Sequence, residues 1–93
     1  MRLRLMNDYS VAIPLWGDNY EVDFLPPGVP ADLEADLRAW AKQFNDNFEP
    51  GTGWPTRDMA DSHRAEGERL LRQLRAALPN DEVVLDYWEL MHR

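Results

Sequence analysis

The sequence predicts an α/β protein of the α+β kind: one small two-layer domain over residues 1–93, with two long helices packed on a two- or three-stranded sheet in the order β-β-α-α-β. Three observations carry this expectation. Two long segments repeat apolar residues at three- and four-residue spacing, short segments near both ends alternate in period two, and breaks rich in Pro and Gly separate them. A chain of 93 residues can fill one hydrophobic core and not two. With 44% hydrophobic residues and four Trp, that core needs no metal or disulfide to hold it.

The first strand is expected at Arg2 to Met6, where Leu3 and Leu5 alternate with Arg2 and Arg4. NDYSVAIPLWGDN then mixes Asn, Asp, Ser, Pro and Gly with apolar residues and reads as a turn-rich connection, in which Pro14 argues against a central strand. A second strand is expected within LWGDNYEVDF, where Tyr20, Val22 and Phe24 alternate with Glu21 and Asp23. LPPGVPAD ends it. The first helix should start near Pro30 or Asp32 and reach Phe48, with Leu33, Leu37, Trp40, Ala41, Phe44 and Phe48 on its buried face. Glu34 and Asp36 suit the positive end of that helix's dipole.

EPGTGWP breaks the chain, and Trp54 within it reads first as a lid on the core and second as a contact residue. The second helix should run from Thr56, a good N-cap, or Asp58 to Ala77, with Met59, His63, Gly67, Leu70, Leu71, Leu74 and Leu78 along one face. Gly67 costs helix stability unless it admits a close neighbour. EVVLDYWEL reads as the last strand, with Val83, Leu85 and Tyr87 on one face.

Chemistry finds little purchase in these residues. The absence of Cys removes disulfides, thiolate metal sites and cysteine nucleophiles. PGTGWP lacks the Lys and Ser/Thr of a phosphate loop. His63 and Glu66 share a helical side but fall short of a zinc ligand set, so His63 reads as a core-edge residue. Ser62 and His63 point about 100° apart on a helix and cannot act as nucleophile and base. No catalytic residue, cofactor or metal is expected. The charged N-terminus and the short apolar runs imply neither a signal peptide nor a membrane span, and a cytoplasmic protein is expected.

The net charge is −7, and no Lys or Arg lies between Arg4 and Arg38, an interval holding Asp8, Asp18, Glu21, Asp23, Asp32, Glu34 and Asp36. Direct binding to nucleic acid is disfavoured, because phosphate affinity needs clustered cations; a basic protein partner is favoured, with a merely solubilising acidic surface standing beside it. Aromatic residues beside acids suit such a partner. Tyr20 and Tyr87 belong to core-facing rows, which leaves Tyr9, Trp16 and Trp88 as the better contact residues.

RLMNDYSVAIPLWG resembles the opening of a group of small bacterial proteins that begin with a short strand, an Asp-Tyr pair and a Pro-Leu-Trp triplet. LRAWAKQFNDNFEPGTGW resembles the helix and Gly-Trp loop of that group, and AEGERLLRQLRAALPNDEVVLDYW its closing helix and strand. The resemblance implies kinship with immunity proteins, which neutralise a toxin made by the same or a neighbouring operon. Asp8, Tyr9 and Trp16 match the opening motif and Trp54 the Gly-Trp turn. The expected function is therefore non-catalytic binding, in the form of an immunity protein or antitoxin that occludes the basic active-site groove of a nuclease toxin. The expected contacts are Asp8, Tyr9, Trp16, Asp18, Glu21, Asp23, Trp54 and Trp88. The alternative is a small structural or regulatory module that homodimerises through apolar surface, with a metal-assisted enzyme third.

Overall fold

The computed structural model describes residues 2–17, 22 and 25–93. Its elements are β1 (Arg2–Leu5), β2 (Leu15–Trp16), α1 (Ala31–Asn47), α2 (Arg57–Ala77) and β3 (Glu82–Leu85), the predicted β-β-α-α-β order. β1 is central in a sheet of order β2-β1-β3, antiparallel to β2 and parallel to β3. The parallel pair, with Leu3 opposite Val83 and Leu5 opposite Leu85, needs a long crossover, which the two helices supply.

β1 alternates as its sequence does: Leu3 and Leu5 are fully buried, and Arg2 and Arg4 lie on the other face, where they pair with the carboxylates of Glu82 and Asp86. The core joins Leu3, Leu5, Leu15 and Val83 of the sheet to Leu33, Leu37 and Trp40 of α1 and to Leu70 and Leu74 of α2. A second cluster of Phe44, Phe48, Trp54 and Ala60 fills the far end of the helix pair. On the surface Arg69 of α2 bonds both Glu66 on its own helix and Asp36 on α1, tying the two helices together.

Both helices begin within a residue or so of their expected starts. Thr56 caps α2 by accepting from the Met59 amide, which satisfies one of the free N–H groups of the first turn. α1 has no side-chain cap but carries Asp32 and Glu34 in its first turn, where their charge favours the helix dipole.

The strands depart from expectation in two places. The second strand is Leu15–Trp16, inside the segment that reads as a turn-rich connection; of the expected strand, Val22 is described, and Tyr20, Glu21, Asp23 and Phe24 lie outside the described residues. Pro14 does not prevent this, because β2 is the outer strand of the sheet among the described residues and Pro14 contributes its carbonyl, which accepts from the Met6 amide at 3.0 Å. The Val22 amide donates to the Leu15 carbonyl at 3.0 Å. β3 ends at Leu85 rather than running on through Trp88, since its partner β1 ends at Leu5; one further bond, from the Asp86 amide to the Leu5 carbonyl, closes the pairing. Arg75 of α2 donates to the Val83 carbonyl at 3.0 Å, so a side chain occupies a β3 carbonyl that β1 does not use.

Gly67 sits where α2 meets Trp40, and a Cβ there would lie 2.7 Å from the Trp40 ring. Trp40 cannot retreat: its indole donates to the His63 carbonyl at 2.9 Å and its ring stacks on the His63 imidazole at 4.6 Å. Gly67→Ala would gain about 1 kcal/mol of helix propensity and lose about 1–3 kcal/mol to overpacking. We expect a net loss of stability, read as a lower urea midpoint; a stabilised variant would show that the interface yields.

Candidate functional site

Three polar side chains are buried among the described residues: Asn7, His63 and Glu89. They converge from three parts of the chain. Asn7 follows β1, His63 lies on the apolar stripe of α2 between Ala60 and Gly67, and Glu89 lies on the segment after β3. His63 Nε2 faces the Trp40 carbonyl at 3.3 Å and Nδ1 faces the Tyr87 hydroxyl at 3.0 Å. Nε2 also lies 3.4 Å from Asn7 Nδ2: an imidazole protonated on Nε2 donates to the carbonyl and accepts from the phenol, whereas one protonated on Nδ1 donates to the phenol and accepts from Asn7. Glu89 accepts from the Trp88 amide at 3.0 Å through Oε1 and from the Asn7 amide group at 3.3 Å through Oε2. Trp54 closes the cluster, its indole donating to the Glu89 carbonyl at 3.0 Å.

Burial sets the charge state of this cluster. It lowers the pKa of His63 from 6.5 to about 4, against the opposing pull of the Trp40 carbonyl and Glu66. It raises the pKa of Glu89, against the stabilising bonds from the Trp88 amide and Asn7. It also raises that of Tyr87, which keeps the phenol proton available to His63. His63 and Glu89 stand 3.9 Å apart, and desolvation favours the neutral form of each. With His63 fully enclosed and hydrogen-bonded, the cluster serves to hold the C-terminal segment against α2.

On the surface beside it, the structure brings Tyr9 and Trp88 together. Their ring centroids are 6.0 Å apart, and they are 44% and 38% exposed. Both rest on Phe44, and Trp88 also on Phe48. The Trp88 indole donates to the Asn7 carbonyl at 2.8 Å. Asp8 Oδ1 accepts from the Tyr9 amide at 2.7 Å. Ser10, alone among the described non-glycine residues, has a positive φ, 65°, and its amide donates to Asn45 Oδ1 of α1 at 2.8 Å.

Of the remaining predicted contacts, Trp16 and Trp54 are described. Trp16 is half-buried on β2, with its indole donating to the Met6 carbonyl at 2.9 Å. Trp54 is fully buried and offers a partner no surface; its reading as a lid on the core describes where it lies. Asp18, Glu21 and Asp23 lie outside the described residues. Leu90 and Met91 are exposed apolar residues that sequence reading passed over. Asn45 was also missed, and nothing in its helical context marks it as a loop clamp.

An α+β domain with an enclosed polar cluster and an exposed aromatic pair has the makings of a binding module. A family model described as Serratia CdiI immunity protein-like matches residues 1–89, and the chain belongs to that family. No curated protein matches it significantly. Among the described residues no group of three or more His, Asp or Glu side chains is placed to hold a metal ion, and no helix is long and apolar enough to cross a membrane.

The buried pair makes stability depend on pH from two sides. The depressed pKa of His63 contributes stability that is present above pH 6.5 and lost as pH falls toward 4, a displacement worth about 3 kcal/mol. The raised pKa of Glu89 contributes stability that is present below 4.5 and lost as pH rises through its folded value. Glu89→Gln should therefore remove the alkaline-side loss and keep the acid-side one. Thermal melts between pH 4 and 9 test this, and an unchanged alkaline limb would mean that Glu89 is ionised in the folded protein at little cost.

Proposed function

We propose that this protein is the immunity partner of a toxin, which it binds directly and without catalysis, and that the toxin is a nuclease whose basic groove it occludes. The observation that carries the reading is the match to an immunity-protein family over residues 1–89. Its finer part rests on charge. The net charge of −7 and the stretch from Arg4 to Arg38 without a basic residue favour a cationic partner, and electrostatic steering speeds such an encounter. In this reading Asp8, Asp18, Glu21 and Asp23 pair with groove cations, while Tyr9, Trp16 and Trp88 fill apolar positions beside them; Trp54 supports the surface from within.

Co-expression with the toxin encoded beside it should restore growth, and the purified pair should associate faster at low salt. Reversing Glu21 and Asp23 to Lys should slow association by about tenfold or more and flatten its salt dependence, with a smaller change in dissociation. Stopped-flow kinetics at several salt concentrations measure this. Equal rates for both proteins would remove those carboxylates from the interface, and failure of the unaltered protein to bind would remove the immunity reading.

A further inference from the structure

We infer that the Tyr9–Trp88 pair is a preformed docking site for an arginine-bearing segment of the toxin, an inference that rests on the immunity reading and adds to it the place of contact and the chemistry it recognises. Trp40, Trp54, Phe44 and Phe48 are buried, and this exposed pair stands apart from their packing. Tyr and Trp so placed are the side chains that most often dominate protein interfaces.

Both rings are held before any partner arrives. Trp88 is fixed by its indole bond to the Asn7 carbonyl, by its amide bond to the buried Glu89 carboxyl, and by contacts with Phe44 and Phe48. Tyr9 is fixed by Phe44 and by a loop whose next residue, Ser10, is kept in the left-handed region by Asn45. The same Asn45 donates to the Val11 carbonyl at 3.2 Å and to the Ala41 carbonyl of its own helix at 2.9 Å. An unfavourable backbone geometry over-determined by its surroundings, next to an exposed aromatic residue, fits a loop shaped for contact. Rings that are already ordered lose little freedom on binding.

The charge around the pair selects the occupant. Asp8 adjoins Tyr9 in the chain and bonds its amide, and Glu49 follows Phe48, on which Trp88 rests. α1 ends here with no basic residue in its last turn, so the negative end of its dipole is not offset; Lys42, one turn back, is engaged with Asp46. Aromatic rings bordered by carboxylates favour a cation. A guanidinium suits them better than an ammonium, because it is planar, stacks on rings and sheds water more readily.

The test uses the full chain and the toxin domain carrying an inactivating substitution. Tyr9→Ala should weaken binding by about tenfold or more, mainly through faster dissociation, in a protein that circular dichroism shows to be still folded. Glu49→Lys should slow association. A double-mutant cycle between Tyr9→Ala and Arg→Ala substitutions on the toxin should show strong coupling to one arginine. Unchanged affinity in both Tyr9→Ala and Glu49→Lys overturns the inference, as does coupling to no arginine. Loss of binding confined to variants at Asp18, Glu21 and Asp23 also overturns it while leaving the immunity reading intact. An unaltered protein that does not bind the toxin ends both.

Discussion

The contact between Trp40 and α2 at Gly67 sets the distance between the helices, and much else is placed by it. With no Cβ at Gly67 the indole reaches the helix backbone, donates to the His63 carbonyl and lies flat on the imidazole. His63 is thereby turned toward Tyr87, and the segment that carries Tyr87, Trp88 and Glu89 is drawn across the end of the helix pair. A helix crossing settled by one missing methyl group thus decides where an exposed tryptophan stands. The chain of causes runs through close packing, which transmits small displacements because protein interiors have little free volume.

Glu89 shows what a local sequence leaves unsaid. The acid in DYWEL carries no local mark of its place, yet Glu89 is fully buried. Its burial is permitted by partners that proximity in sequence does not reveal, above all Asn7, 82 positions away. By contrast the helices were legible, because their signals are local: apolar spacing along Leu33, Leu37, Trp40 and Phe44, an N-cap at Thr56, and a glycine on an apolar stripe. β2 was not legible. It consists of two residues held by pairing to β1, and neither alternation nor propensity can mark so short an element.

The candidate site divides in the same way. Tyr9 and Trp88 could each be picked out as aromatics left over once the core-facing rows were assigned, but their meeting depends on Phe44 and Phe48, whose places on the helical stripe read simply as core. Trp54 could be read as core or contact from its Gly-Trp-Pro setting, and its depth follows from the bond between its indole and the Glu89 carbonyl, itself a long-range feature. The family match is consistent with the resemblance carried by the opening strand, the Gly-Trp loop and the closing helix.

The parallel pairing of β1 with β3 also bears on when the molecule becomes competent. β1 is made first, and its neighbour across the sheet is made only after both helices. The loop with Tyr9 and the segment with Trp88 likewise come from opposite ends of the chain, joined through a bond spanning 81 positions. Contacts of such separation carry a loop-closure cost that slows folding. During synthesis the aromatic pair cannot be assembled until the segment carrying Trp88, made after both helices, is available to meet the loop that carries Tyr9.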